Sequence, residues 1–241
     1  MTVSALIIGN EVLTAKVTEA NGAHLIRRFR ERGVTLVSVH FVRDDVDEIV
    51  EQYLASRKRA QFIITSGGVG PTHDDVTVRA ISRAMKREVV RLPEMEARIR
   101  AFYGGEPPHA ESFRMAEAPA GSRLIPCGDT RFPVLACDST YLLPGVPALF
   151  RVQLEAVLPE LPGTPVVLKQ LFLNARESEI AATLDAAALK RPHVGIGSYP
   201  TWGEEADHRV KLTIEHTDEK EVSAAFDELK AALGAFVVRT S

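Results

Sequence analysis

Thr65-Ser66-Gly67-Gly68-Val69-Gly70-Pro71-Thr72-His73-Asp74-Asp75-Val76-Thr77 is the stretch from which the rest of the chain is read. The apolar run Phe62-Ile63-Ile64 leads into it, and Val76, Ala80, Ile81 and Ala84 leave it at helical spacing. That pattern predicts a buried strand, a glycine-rich turn and a helix beginning near Asp74, an arrangement that exposes backbone N–H groups at the carboxyl edge of a sheet. Gly67, Gly68 and Gly70 permit a tight turn and leave no Cβ between backbone and ligand, and Pro71 sets its exit. Thr72 and Asp74 are candidate N-caps, and Asp74 and Asp75 stand where the helix dipole favours carboxylates. The same carboxylates would repel a phosphate unless a cation stood between them, so the loop reads as a metal-assisted phosphate site. The alternative is a capped turn without chemistry. The loop is neither a P-loop, since it lacks Gly-Lys-Ser/Thr, nor a Gly-x-Gly-x-x-Gly fingerprint. His73 reads as a turn hydrogen-bonder rather than a general base.

Three further segments point to the same rim. Val3–Ile8 is an apolar strand followed by Gly9, Asn10 and Glu11, and Val34–Val42 is a strand followed by Arg43, Asp44 and Asp45. Asn10 is a candidate donor to a heterocycle edge and Glu11 a candidate metal ligand, or both satisfy turn backbone. Asp44 is a ligand candidate facing the Asp74/Asp75 turn, and either Asp44 or Asp45 could instead cap the next helix. Pro144-Gly145-Val146-Pro147 repeats the strand, glycine turn and helix order, which makes Gly145 the opposite wall of a shared cleft.

Asn21 is a candidate cap for the helix ending at Gly33, and Pro93 opens a helix through Met95, Ile99 and Phe102. Residues 106–133 read as a helix and a covering loop whose Arg114, Arg123 and Arg131 could meet phosphates. Val134–Cys137 and Tyr141–Leu143 form a hairpin pattern. The βαβαβα series predicts an α/β fold with a doubly wound, mainly parallel sheet. Leu161-Pro162-Gly163-Thr164-Pro165 divides residues 1–162 from a second domain, 166–241. There the order βαββα(β) predicts a small α/β sandwich like a ferredoxin-like unit, with Asn174 and Glu177 at capping-box spacing.

The composition is that of an ordinary folded protein: 45% hydrophobic and 25% charged residues over 241 positions. A net charge of −3 provides no basic field for nucleic acid, and Leu6-Ile7-Ile8 is too short to span a bilayer. With no cationic leader, a cytoplasmic protein is expected. Cys127 and Cys137 make neither a disulfide framework nor a zinc site and read as small buried groups.

The Thr65–Thr77 segment, with Ile8-Gly9-Asn10-Glu11 and Leu143-Pro144-Gly145-Val146-Pro147, resembles the molybdopterin-binding-like (MoaB/Mog-like) domain family. That family includes molybdenum-cofactor biosynthesis proteins, the amino-terminal part of CinA proteins and a domain of FAD synthases. Gly195-Ile196-Gly197-Ser198-Tyr199-Pro200 with Trp202-Gly203 is similar to the FAD-synthase-associated domain. The resemblance implies a three-layer first domain, with pterin handling and adenylylation at the positions of Asp44 and Asp75 in one branch. In the CinA and FAD-synthase branches it implies hydrolysis of nucleotide diphosphates such as ADP-ribose or FAD. Residues 125–133 depart from the CinA pattern Asn-x-x-Gly-Thr-Ala-Pro-Gly and incline the reading to the FAD-synthase side. The chain carries neither the deamidase domain of CinA nor an adenylyltransferase domain, so neither activity is expected.

The expectation is therefore a hydrolase of a nucleotide pyrophosphate. Asp44, Asp74, Asp75 and Glu11 would position a divalent ion (Mg²⁺, Mn²⁺ or Co²⁺, with K⁺ as a further candidate). Gly9, Asn10, Gly67, Gly68, Gly70, Pro71, Thr72 and Gly145 would bind the ligand, and Asp75 and Asp44 would carry the chemistry. The expected partners are a phosphorylated small molecule (a dinucleotide or a pterin) and further copies of the chain as a homo-oligomer, without nucleic acid or membrane. The alternatives are a non-hydrolytic molybdopterin or adenylylated-molybdopterin binder and a structural or regulatory oligomeric module.

Overall fold

The structure, a computed structural model, describes residues 1–128, 132–203 and 207–241, and it divides into two units, Met1–Gly163 and Thr164–Ser241. The first runs β1 (Thr2–Ile8), α1 (Asn10–Leu13), α2 (Asn21–Arg32), β2 (Thr35–Val42), α3 (Val46–Arg57), β3 (Phe62–Ser66) and α4 (Thr77–Ala84). It continues with β4 (Val89–Arg91), α5 (Pro93–Phe102), a 3-10 turn (Ala110–Ala116), β5 (Glu117–Pro119), β6 (Arg123–Ile125), β7 (Val134–Cys137), β8 (Thr140–Leu143) and α6 (Pro147–Val157).

Its six-stranded sheet has the order β2-β1-β3-β8-β7-β6. The first four strands are parallel, and β7 and β6 are added antiparallel. β1 and β3 are buried on both faces, which is why they read as continuous apolar runs rather than alternating ones. On one face Val3, Ala5 and Ile64 pack with Leu25 and Phe29 of α2 and Phe150 and Leu154 of α6. On the other, Leu6, Ile8 and Ile63 pack with Ile49 and Tyr53 of α3 and Ile81 of α4. The result is three layers, helix, sheet and helix.

Register decides where the site lies. Ile8 pairs with Val42, Ile7 with Ser66, and Ser66 with Leu143, so four parallel strands end at one rim. The covering segment differs from expectation. Its described residues contribute no α-helix after α5 but a 3-10 turn and two strands, β5 pairing with β4 and β6 extending the main sheet. Short apolar pairs such as Leu124-Ile125 carry too little periodicity to be recognised as strands without their partners.

The second unit holds β9 (Val167–Leu173), α7 (Glu177–Lys190), β10 (Gly195–Pro200), β11 (Val210–His216), α8 (Glu219–Ala232) and β12 (Val237–Thr240). Its sheet order β10-β11-β9-β12 is antiparallel throughout. Leu171, Leu173, Leu212 and Ile214 pack with Ile180, Val222 and Phe226 of the helices. This is the ferredoxin-like arrangement. The expected capping box is shifted: Glu179 accepts the Arg176 N–H at 2.7 Å, while the Asn174 N–H bonds the Phe236 carbonyl at 2.8 Å. Cys127 and Cys137 are free and buried. Among the described residues no helix is long and apolar enough to cross a membrane.

Candidate functional site

The glycine turn lies at the common rim, but its glycines are needed for reasons other than ligand access. A Cβ on Gly67, whose φ is +103°, would stand 2.1 Å from the Ile8 carbonyl oxygen. One on Gly68 would stand 2.3 Å from Thr77 Oγ1, and one on Gly70 would stand 2.6 Å from Asp75 Oδ2. The chain itself occupies the space that the missing side chains leave. The Gly67 N–H donates to the Leu143 carbonyl at 3.0 Å and the Gly9 N–H to the Val42 carbonyl at 3.1 Å, so neither amide is open to a ligand. By contrast, the N–H groups of Gly68, Val69 and Gly70 have no hydrogen-bond acceptor among the described residues.

Thr72 and Asp75 close the turn. Asp75 Oδ2 accepts the Thr72 N–H at 2.8 Å and the Thr72 hydroxyl as well. Thr72 therefore braces Asp75 instead of capping α4, which begins at Thr77 and not at Asp74 because the Thr72/Asp75 pair holds the preceding residues in a turn. The Thr77 hydroxyl donates to the Gly67 carbonyl at 2.8 Å and anchors the helix start under the loop. Asp74 and His73 project to solvent.

Opposite, Asp45 caps α3 by accepting the Asp47 and Glu48 N–H groups at 2.9 and 3.0 Å, leaving Asp44 free of that role. Asp44 Oδ2 accepts the Asn10 N–H at 2.8 Å. Burial pushes the Asp44 carboxyl above its ordinary range; the Asn10 N–H opposes this, and the charges of Glu11, Asp74 and Asp75 add to the push. The four carboxylates thus share one electrostatic neighbourhood. Among the described residues, however, no three His, Cys, Asp or Glu side chains are arranged to hold an ion. The donor set suits a hard cation that takes one or two carboxylates and completes its shell with phosphate oxygens and water, the habit of Mg²⁺.

Gly145 faces Gly67: a Cβ there would lie 3.4 Å from Gly67 Cα. Both glycines line a cleft of about 480 Å³ beside this contact, together with Met95, Met115, Phe132, Val146 and Leu149, and with Glu11 and Asp75 among its polar residues. A smaller cavity of about 300 Å³ adjoins the other side of the loop, where Arg79, Arg114 and Glu117 meet Gly70 and Thr72. Arg114 Nη1 donates to the Pro71 carbonyl at 3.2 Å. Arg123 instead pairs with Glu160, away from these cavities, and Arg131 lies outside the described residues, as do Asp129 and Thr130 of the divergent 125–133 segment.

Two residues escaped the sequence reading. Asn21 is not a cap: α2 follows Ala20, and the Asn21 amide, buried, donates to Ser66 Oγ at 2.9 Å and to the Gly145 carbonyl at 2.8 Å. It fastens the two glycine walls from behind. Arg79 reaches both the 300 Å³ cavity and a third one beside Asp44 and Asp47. Its position in the first turn of a helix, where a cation is disfavoured by the dipole, was the available signal.

Residues 4–163 match the family model described as "Probable molybdopterin binding domain", and residues 165–241 match the middle domain of FAD synthase. A CinA-like protein of Geobacter sp. is 32% identical over 250 residues, which cover 98% of this chain and 59% of that protein. A protein of Caenorhabditis elegans named "Probable FAD synthase" is 28% identical over 265 residues, covering 98% of this chain and 51% of that one. The crystal structure of the protein CinA from Thermoplasma acidophilum, described as of unknown function, aligns at a TM-score of 0.62 and 26% identity, covering 66% of this chain and 97% of that chain. The chain therefore spans only 59% and 51% of the lengths of the two named sequence relatives.

Proposed function

This chain belongs, through residues 4–163, to the molybdopterin-binding domain family, and on that premise we propose that it hydrolyses the pyrophosphate of a nucleotide such as FAD or ADP-ribose with the help of a divalent ion. The observation that carries this reading is the run of open N–H groups at Gly68, Val69 and Gly70, set between an apolar cleft and an acidic rim. A flat heterocycle fits the Met95, Met115 and Phe132 cleft, and the attached phosphates then lie over the loop, whose amides donate to their oxygens. The matches to the FAD synthase middle domain and to a CinA-like protein favour a nucleotide over other phosphate esters.

Asp44 and Asp75 would hold the ion, with Glu11 and Asp74 contributing to the negative field that attracts it. When bound, the ion neutralises phosphate charge and makes an attacking water more acidic. Asp75 is held in place by Thr72, and Asp44 by the Asn10 N–H, so neither carboxylate has to be reoriented as substrate arrives. The reaction forms one P–O bond from water and breaks the bridging P–O bond, releasing two phosphomonoesters.

The family match also favours a second reading, binding of molybdopterin or its adenylylated form in the same cleft without cleavage. An assay of metal-stripped protein against FAD, ADP-ribose and dinucleoside polyphosphates separates the two. Cleavage of at least one of them, restored by Mg²⁺, Mn²⁺ or Co²⁺ and measured with and without K⁺, is the expected result. Saturable pterin binding with no cleavage under any of these conditions would replace the hydrolase by the binder.

A further inference from the structure

We infer that Arg79 and the cavity it shares with the glycine turn form a subsite for a second phosphate, so that the protein distinguishes nucleoside diphosphates from monophosphates. This deepens the proposed function and rests on the same cleft.

The loop has two sides of opposite character. On one side is the apolar cleft, and on the other the cavity of about 300 Å³ reached by Arg79 and Arg114. Gly68, Val69 and Gly70 line both, so a ligand whose heterocycle fills the cleft passes its phosphate chain across these residues toward Arg79. One phosphate is served by the loop amides. Only a longer chain reaches the guanidinium.

The two arginines differ in what the protein asks of them. Arg114 is engaged with the Pro71 carbonyl and braces the loop. Arg79 makes no hydrogen bond or ion pair among the described residues, although Asp75 and Glu117 line one of its cavities and Asp44, Asp45 and Asp47 the other. Asp47 pairs instead with Arg83, one turn further along α4 at 2.7 Å, and Asp75 with Thr72. An exposed cation left without a partner among five carboxylates, beside three open amides, is suited to a ligand that is more negative than the amides alone can serve. A guanidinium presents several donors in a fixed plane and so engages two oxygens of one phosphate, or bridges two phosphates, better than a lysine does.

The test is calorimetric titration of the whole chain with ADP and with AMP in Mg²⁺, for the wild type, Arg79→Ala and Arg79→Lys, with thermal melts to verify folding. The wild type is expected to bind ADP at least about tenfold more tightly than AMP, the size of one charge-assisted contact. Arg79→Ala should bring ADP to the AMP level while changing AMP less than about twofold, and Arg79→Lys should fall between. An unchanged ADP-to-AMP ratio in Arg79→Ala overturns the inference, as does a wild type that fails to discriminate. These outcomes are separable from failure of the hydrolase reading: a protein that loses discrimination in Arg79→Ala yet never cleaves FAD or ADP-ribose retains the subsite and loses only the reaction.

Discussion

The main-chain N–H of Asn10 donates to Asp44 Oδ2 at 2.8 Å, joining the ends of β1 and β2 through a carboxylate. The bond holds Asp44 against the rim, close enough to Glu11, Asp74 and Asp75 for their charges to raise its pKa. Three carboxylates thus act on Asp44 at once, a field that the proposed cation would offset.

Asp44→Asn tests that charge while preserving a side-chain oxygen that can still accept from Asn10. Turnover of the cleaved dinucleotide at saturating substrate should fall on the order of a hundredfold, with a weaker apparent affinity for Mg²⁺. A metal titration of wild-type and variant turnover that gives superimposable curves removes Asp44 from the proposed site.

Gly67→Ala should destabilise the protein by about 3 kcal/mol, combining a left-handed backbone penalty with a clash against the Ile8 carbonyl. Gly104→Ala is the control: its φ is also positive, at +64°, but nothing lies within 4 Å of the added Cβ, so only about 1 kcal/mol is expected. Urea denaturation of both variants gives the comparison, and equal costs would mean that the Ile8 contact does not matter.

Asn21→Ala removes two hydrogen bonds that tie Ser66 and Gly145 together and should cost about 2 kcal/mol of stability. Because the lost bonds hold the cleft walls, exchange of the Gly67 amide, bonded to the Leu143 carbonyl, and of the Phe150 amide, bonded to the Val146 carbonyl, should quicken while that in β9 of the second unit is unaltered. Uniform protection across both units in the variant would place the role of Asn21 elsewhere.

His24 sets a pH dependence. Burial lowers its pKa from the ordinary 6.5, and Arg151, Arg27 and Arg28 lower it further against the opposing charge of Glu155. The unfolded chain therefore takes up a proton more readily than the folded one. The stability this group contributes is complete above pH 6.5 and declines as pH falls through 6.5 toward the lower folded value. Urea midpoints measured from pH 8 to pH 5 should show this decline, and His24→Gln should flatten it.

Much of the architecture was legible along the chain because it depends on near neighbours. The apolar runs at Val3–Ile8 and Phe62–Ile64, the glycine turns after them and the αL glycine at Gly33 each combine a local conformational preference with a hydrophobic period. The same local signals located Asp44 and Gly145 just beyond strand ends and Asp75 in the turn between β3 and α4. They also misassigned some details: Asn21 and Thr72 have the chemistry of helix caps, and only their distant or folded-back partners made them a clamp and a brace.

By itself, then, the sequence determined the order of the principal strands and helices outside residues 106–133, the glycine turns and the residue types available at one rim, since these follow from the covalent chain and its local preferences. Tertiary structure alone decided that β6 joins the main sheet, that Gly67 accommodates Ile8 rather than a ligand, that Asn21 bridges two loops, and that Arg79 is left without a protein partner among the described residues. Those outcomes depend on which groups meet through space after the strands find their register, and contacts between residues far apart in the chain leave no periodic trace in it.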